Sequence, residues 1–223
     1  MTEQTPAPIR HIVIRAHPSP DSFNASVADR YCETVRACGQ VAEVRDLYAL
    51  AFDPLLKEEE RPIAGGISLS PDVRAEIEAI RGAEMYVLVY PVWFAMPPAI
   101  LKGYIDRVLG AEVTARQIQD RAATGVLSGR HMLSITTSGA REVWLDEQGQ
   151  VESLRNLSTR YLRNAFEMAS CEHLHFGGII EGLSERFAGQ YFFDVQERAR
   201  RVCAMLAAER RTGPPLASIG DGS

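Results

Sequence analysis

The sequence predicts an α/β fold in which a five-stranded parallel sheet, with strand order 2-1-3-4-5, carries helices on both faces. Short apolar runs that suit buried parallel strands recur five times along the chain, and helix-like segments separate them. Strands that alternate with crossover helices form a parallel sheet. Neither a nicotinamide-binding glycine fingerprint nor a P-loop follows the first strand, which favours the 2-1-3-4-5 order with a site between strands one and three.

Composition describes an ordinary soluble globular protein of 223 residues, 46% hydrophobic and 24% charged, with a net charge of −5. This charge argues against a nucleic-acid partner. We expect one domain over residues 1–212 and a disordered tail over 213–223. The four cysteines have neither metal-site nor disulfide spacing, and we find no signal peptide or membrane-spanning stretch. A cytoplasmic location is therefore expected.

The helices are predicted from their start signals as well as from their apolar spacing. Ser22 or Asn24 can cap the first helix, and Ser70-Pro71-Asp72 supplies a cap, a first-turn proline and a first-turn acid for the second. The five strands are expected at 9–16, 41–47, 85–90, 131–137 and 172–180. The helices are expected at 22–38, 70–81, 98–109, 153–169 and 187–210.

Three segments lack a clear helix or strand period. The acidic run Glu58–Glu60, within an irregular segment 53–69, is typical of a solvated face. Residues 110–129 form a weakly patterned insertion, and 141–150 a loop over the carboxyl end of the sheet. His173 and His175 point to one side of strand five, but they lack further ligands, so a structural role is favoured and no metal site is predicted.

Three loops meet at the carboxyl end of the predicted sheet, where ligands bind in open α/β folds. The loop after strand one precedes a helix N-terminus, which attracts anions such as phosphate. The loop after strand three exposes two large aromatic side chains that could stack on a flat ring, and the loop after strand four offers hydroxyl and N–H groups. Together they predict a pocket for a phosphate joined to a flat ring, which FMN and FAD both fit.

Several motifs make the chain similar to the NAD(P)H:quinone oxidoreductase (DT-diaphorase-like) family of flavodoxin-like flavoproteins. The most specific is Pro91-x-Trp93-Phe94-x-Met96-Pro97 continuing into 99–103. The supporting matches are Ala16-His17, Ser22-Phe23-Asn24, Asp46–Ala49, Phe52–Pro54, Leu69–Asp72, Leu133–Thr137 and Leu174-His175-Phe176-x-Gly178. They extend from strand one to strand five.

The resemblance implies a bound flavin, FAD or alternatively FMN, in a homodimer that reduces quinones by a ping-pong cycle. NAD(P)H would deliver hydride to the flavin and leave, and a quinone or similar flat acceptor would then take two electrons. The implied phosphate contacts are His17, Ser22, Phe23 and Asn24. The implied ring contacts are Pro91, Val92, Trp93 and Phe94, with Thr136, Thr137, Ser138 and Gly139 on the pyrimidine edge.

The chain departs from the family where a tyrosine and a histidine assist proton movement. Trp144 and Gln150 stand at those positions, so the proton donor is not carried over, and Trp144 is either a wall for the substrate or a packing residue. The competing function is a flavodoxin-like electron carrier or regulatory subunit, for example of a potassium-efflux system. The modest acidity and the two loops that could roof the ring favour the enzyme.

Overall fold

In the computed structural model, which describes residues 7–61 and 67–212, one parallel sheet has the strand order β2-β1-β3-β4-β5. This confirms the predicted fold class. The strands are β1 (Arg10–Arg15), β2 (Val41–Asp46), β3 (Met85–Pro91), β4 (His131–Thr137) and β5 (Ser170–Phe176). The predicted tail, 213–223, lies outside the described residues.

Eight helices of the described residues surround the sheet. They are α1 (Phe23–Ala37), α2 (Pro71–Ile80), α3 (Ala99–Tyr104), α4 (Ala115–Gln119), α5 (Glu142–Glu147), α6 (Gln150–Arg155), α7 (Leu162–Ala165) and α8 (Glu185–Thr212). Wider helical turns continue α3 through Ile105–Leu109 and join α6 to α7 through Asn156–Tyr161. None of these helices is long and apolar enough to cross a membrane.

Two apolar layers sandwich the sheet because successive side chains of a strand point to opposite faces. Val13 of β1 and Ile135 of β4 lie in the layer that α1 and α8 cover. Ile12 and Met132 lie in the other layer, with α2 and the 99–109 helix. All seven residues of β3 are buried, as expected for a central parallel strand.

The acidic run Glu58–Glu60 was expected to be a solvated face, and the expectation is right for Glu58 and Glu59 but wrong for Glu60. Its last residue, Glu60, is buried, and its carboxylate accepts hydrogen bonds of 2.8 and 2.7 Å from Arg107. The fully buried Arg107 guanidinium also contacts Asp72 at 2.9 Å. A buried guanidinium needs charged partners, and the tertiary contact with the 99–109 helix recruits them from distant segments.

The weakly patterned insertion 110–129 and the expected loop 141–150 both contain helix and contribute to the core. Within 110–129, Thr114 and Gln117 form a capping box at the start of α4, and Val113 and Leu127 are buried. Residues 141–150 are mostly α5 and the first residue of α6, which are separated by Gly149 with a φ of 68°. Both helices are short, so their apolar spacing is too brief to stand out in the sequence.

Candidate functional site

A cavity of about 270 Å³ opens at the carboxyl end of the sheet, between the ends of β1, β3 and β4. Its lining contains ten of the twelve side chains that the sequence predicts to touch a flavin. The lining residues are His17, Ser19, Ser22, Phe23, Asn24, Pro91, Val92, Trp93, Thr137, Ser138, Gly139 and Ile179. The tertiary fold therefore brings the three predicted loops to one place.

The first wall of the cavity is the N-terminus of α1. Ser22 caps this helix, and its hydroxyl accepts a hydrogen bond of 3.2 Å from the Ala25 N–H. The first N–H groups of a helix have no intrahelical partner, so those of Phe23 and Asn24 are suited to an anion. Of the two caps that the sequence leaves open, Ser22 is the one used.

His17 adds a hydrogen-bond donor to this wall. Its Nδ1 accepts a hydrogen bond of 3.0 Å from the Ser19 N–H and lies 3.3 Å from the Ser19 carbonyl oxygen. The shorter contact favours the neutral tautomer that carries its proton on Nε2. Burial is the main cause of a lowered pKa for this imidazole, so the neutral form is favoured. The ring lies 6.0 Å from that of Trp93, between centroids, which joins the first wall to the second.

The second wall is a tight turn after β3. Trp93 and Met96 exchange two backbone hydrogen bonds of 3.0 Å, and the central residues Phe94 and Ala95 have φ values of 50° and 65°. Positive φ at both central positions costs energy for residues other than glycine. Such strain next to a cavity is typical of functional loops, because surrounding contacts must hold the conformation.

The side chains of Trp93 and Phe94 diverge at this turn. Trp93 lines the cavity and is 43% exposed, which leaves part of its ring available for stacking. Phe94 is 100% exposed and is not part of the cavity lining. The sequence predicted that both rings contact the ligand, because the tight turn that separates their directions is not evident from the residues alone.

The third wall is the loop after β4, which backbone hydrogen bonds fix on both sides. The Val92 N–H donates to the Thr137 carbonyl at 2.7 Å, and the Ser138 N–H donates to the Phe176 carbonyl at 3.0 Å. The Ile179 N–H in turn donates to the Ser138 carbonyl at 2.8 Å. Hydroxyl groups of this wall therefore stand on a backbone that neighbouring strands hold in place.

Close packing under the third wall requires a glycine. A Cβ atom at Gly177 would lie 2.7 Å from the Glu142 N and 3.0 Å from the Ala140 O. The Gly178 N–H donates to that same Ala140 carbonyl at 2.8 Å. The missing side chain at Gly177 thus lets the loop approach the end of β5.

Thr136 differs from its predicted neighbours because it still belongs to β4, where side chains alternate. Its side chain points away from Thr137 and is fully buried. The hydroxyl lies 2.7 Å from His173 Nε2 and 2.8 Å from His175 Nδ1. The two histidines therefore take part in a hydrogen-bond network, and the described residues contain no group of three or more potential metal ligands.

Trp144 lies on α5, is 55% exposed and is absent from the cavity lining. Conversely, Ser19 and Ile179 line the cavity without having been predicted. Ser19 belongs to the predicted first loop, so its position in the sequence could have identified it as a lining residue. Ile179 follows β5, and only the pairing of β5 with β4 brings it to this edge.

Comparisons with known proteins agree with the fold. The family described as having a flavodoxin-like fold matches residues 10–190. An uncharacterized NAD(P)H oxidoreductase of Haemophilus influenzae is 30% identical over 203 residues, which are 91% of this chain and 94% of that protein. The NAD(P)H:quinone oxidoreductase of Methanothermobacter marburgensis has a solved structure with a TM-score of 0.73 and 25% identity, covering 88% of this chain and all of that one.

A mammalian relative matches over a shorter region. The NAD(P)H dehydrogenase [quinone] 1 of Rattus norvegicus is 29% identical over 154 residues, which are 60% of this chain. The chain spans only 56% of that relative's length.

Proposed function

We propose, from the premise that this chain belongs to the flavodoxin-like family of NAD(P)H:quinone oxidoreductases, that it is itself a flavin-dependent enzyme of this kind. It takes electrons from NAD(P)H and passes two of them to a quinone or a similar flat acceptor. The observation that carries this proposal is the cavity in which a helix N-terminus, an aromatic side chain and a hydroxyl-bearing loop meet. The regulatory and electron-carrier alternatives have no comparable support.

The residues of the cavity fit a flavin phosphate at the first wall. The N-terminus of α1 supplies a partial positive charge and free N–H groups, and the His17 Nε2–H supplies a further donor. A phosphate placed there would favour the protonated imidazole, so binding opposes the lowering of the His17 pKa by burial. His17, Ser22, Phe23 and Asn24 are the proposed contacts.

The other two walls fit the flat ring. Pro91, Val92 and Trp93 offer apolar and aromatic surface, and Thr137, Ser138 and Gly139 offer polar groups at the opposite edge. The flavin, when bound, supplies the chemistry of accepting and donating hydride. The chain excludes water from one side of the ring and leaves the other side to the nicotinamide and the acceptor in turn.

We propose FAD as the flavin, with FMN as the alternative. Both share the phosphate and the ring for which the cavity has contacts. Release of the bound flavin by heat, followed by chromatography against both standards, identifies it directly. The cavity of about 270 Å³ lies just below the range of about 300–1,000 Å³ typical of small-molecule sites, so part of either cofactor would remain outside it.

We further propose that two copies of the chain form a homodimer that covers the apolar surface beside the cavity. Phe94, Met96 and Leu55 are strongly exposed. Phe94 and Met96 lie on the turn that carries Trp93 of the cavity lining. Leu55 follows Pro54, whose carbonyl oxygen would be 2.3 Å from a Cβ atom at Gly103 of α3. Exposed apolar patches of this kind mark interaction surfaces.

Sedimentation analysis tests the homodimer. Wild-type protein is expected to sediment at twice the mass of one chain, and Phe94→Glu is expected to shift it toward the monomer. Phe193→Glu, at an exposed aromatic on α8, is the matched control and should leave the dimer intact. A monomeric wild-type protein, or equal effects of the two variants, would contradict the proposal.

Anaerobic absorbance spectroscopy tests the enzymatic function. The purified protein is titrated with NADH or NADPH and then with a simple benzoquinone. Flavin bands that bleach with the nicotinamide and return with the quinone are the expected result. A flavin that binds without bleaching would indicate a carrier or regulatory protein instead. Failure to bind added FAD or FMN would overturn the proposed site.

The cellular location follows as a smaller proposal. Cys32, Cys38, Cys171 and Cys203 are all free thiols. Free thiols are typical of the reducing cytoplasm, where NAD(P)H is also available, so we propose a cytoplasmic enzyme.

A further inference from the structure

A continuous chain of four polar side chains lies behind the third wall of the cavity. His173 Nε2 is 2.7 Å from the Thr136 hydroxyl oxygen, which is 2.8 Å from His175 Nδ1. His175 Nε2 is in turn 3.0 Å from the Ser138 hydroxyl oxygen. Ser138 lines the cavity, so these hydrogen-bonded side chains connect the cavity with the half-buried His173 on β5.

The number of donors and acceptors fixes the direction of every hydrogen bond among these four side chains. Ser138 donates its hydroxyl hydrogen to the Ala140 carbonyl at 2.9 Å, so it accepts from His175 Nε2–H. His175 Nδ1 is then an acceptor for the Thr136 hydroxyl, which accepts from His173 Nε2–H. Both imidazoles are neutral in this arrangement. Each of the three contacts has one donor and one acceptor without conflict.

The surroundings of the two histidines favour the neutral state. Burial is the main cause that lowers the pKa of both imidazoles, to about 4 for His173. The neighbouring His175 and Arg155 lower the pKa of His173 further. Within 7–61 and 67–212 no carboxylate lies within salt-bridge distance of either ring. Neutral imidazoles can pass a proton because one ring nitrogen accepts while the other donates.

The need to satisfy buried polar groups does not by itself explain why these four side chains are hydrogen bonded to one another. Ser134 lies on the same face of β4, two residues before Thr136, and its buried hydroxyl oxygen has no hydrogen-bond partner among the described residues. The polar face thus contains one isolated hydroxyl and four connected groups. The connected groups are those that end at the cavity.

We propose that His173, Thr136, His175 and Ser138 form the proton path that serves quinone reduction, an inference that rests on the proposed function. Reduction of a quinone by NAD(P)H consumes one proton besides the hydride, because the hydroquinone carries two hydroxyl hydrogens. The path supplies that proton at Ser138. Trp144 and Gln150 cannot supply it, because neither side chain ionises near neutral pH.

Each group of the path gives up one proton and receives another. The Ser138 hydroxyl turns its hydrogen from the Ala140 carbonyl to the acceptor oxygen in the cavity, directly or through a water. It gives up that hydrogen there and receives one from His175 Nε2. His175 Nδ1 receives the Thr136 hydrogen, and Thr136 receives the one on His173 Nε2. Solvent protonates His173 Nδ1, so one proton enters, one leaves and no residue keeps a net charge.

Thr136→Val tests the path at its centre. Valine has the shape of threonine but cannot hydrogen bond, and Thr136 does not line the cavity. Thr136→Ser keeps the hydroxyl and should rescue the path. Ser134→Ala is the control, since it removes a neighbouring buried hydroxyl that has no partner among the described residues.

Nitrogen-15 NMR of the histidine rings gives a readout that needs no flavin. In the wild-type protein His175 is expected as the Nε2–H tautomer. Thr136→Val should let His173 populate both tautomers, because its Nε2 loses its acceptor, whereas His175 stays the Nε2–H tautomer that Ser138 holds. Thr136→Ser and Ser134→Ala should keep the wild-type signals. A wild-type His175 that carries its proton on Nδ1 would overturn the assigned direction and the path.

Stopped-flow kinetics of the two half-reactions separate proton supply from structure. Reduction by NAD(P)H needs no added proton, so Thr136→Val should leave its rate unchanged. Oxidation by quinone should slow by about tenfold or more, given the usual contribution of a positioned proton donor. His173→Gln, which still donates to Thr136 but cannot be reloaded at Nδ1, should show the same split if Thr136→Val does not fold.

The outcomes distinguish the path from the proposed function. A wild-type protein that reduces quinones, together with variants that do so equally fast, would overturn the path alone. Equal slowing of both half-reactions would indicate a structural role and would also overturn it. A wild-type protein without quinone reduction would overturn the proposed function and this inference with it.

Discussion

The Asn24 side-chain amide donates a hydrogen bond of 2.9 Å to the hydroxyl of Thr137, 113 positions later in the chain. The Thr137 hydroxyl returns a hydrogen bond of 3.3 Å to the side-chain oxygen Oδ1 of Asn24, and both side chains are buried. The pair joins the N-terminus of α1 to the end of β4. It therefore holds the first and third walls of the cavity together before any cofactor binds.

We expect this pair to show a clear coupling in a double-mutant cycle. Thr137→Val leaves the Asn24 amide buried without its partner, which costs about 1–3 kcal/mol of unfolding free energy. Asn24→Ala should cost a similar amount, and the double variant less than the sum. Denaturant titration of the flavin-free protein measures all three. Strictly additive effects would show that the two side chains are not coupled.

Trp93→Ala should weaken flavin binding. Loss of one aromatic contact of about 0.5–1.5 kcal/mol corresponds to about a two- to tenfold higher Kd. Trp144→Ala is the matched control, because Trp144 is exposed and does not line the cavity. Fluorescence titration with FAD and FMN measures both. A weaker flavin affinity in the control than in Trp93→Ala would place the ring elsewhere.

The buried pair of Glu60 and Arg107 should make stability depend on acidity. The Arg107 guanidinium lowers the pKa of the Glu60 carboxyl from 4.5 to about 2. Because the folded pKa is the lower one, the ionised carboxylate stabilises the protein above pH 4.5, and this stabilisation is lost as the pH falls from 4.5 toward 2. At neutral pH, Glu60→Gln should cost about 3 kcal/mol.

Thermal or denaturant unfolding across this pH range provides the measurement. The difference between wild type and Glu60→Gln should shrink as the pH falls below 4.5. Glu58→Gln is the control, since Glu58 forms an exposed pair with Arg61 and should change stability by less than about 1 kcal/mol. A difference that stays constant down to pH 2 would contradict the assignment of the pair.

Ala95→Gly should stabilise the protein by about 0.5–1 kcal/mol. Ala95 has a φ of 65°, a conformation that glycine adopts without strain. Ala204→Gly, at an exposed position inside α8, is the opposite control and should destabilise by about 1 kcal/mol. Unfolding midpoints compare the two. Destabilisation by both variants would mean that the turn at 93–96 is not strained.

The sequence by itself determined the layout of this protein. Apolar runs such as 85–90 suit strands buried on both faces, and the helices predicted between them favour a parallel sheet. Three loops at the carboxyl ends of strands then meet at one edge, and the resemblance of the motif around Trp93 to a flavoprotein family predicted what they bind. These inferences need only local pattern and chain connectivity.

The tertiary structure alone decided which side chains face one another. The sequence predicts a solvated Glu60, but in the structure this side chain is buried beside Arg107. The sequence predicts that Phe94 contacts the ring, but in the structure its side chain lies outside the cavity lining. Thr136, His173 and His175 form a network only because β4 and β5 pair in register, with Thr136 beside His175. Such contacts depend on distances between segments far apart in the chain, which local sequence does not encode.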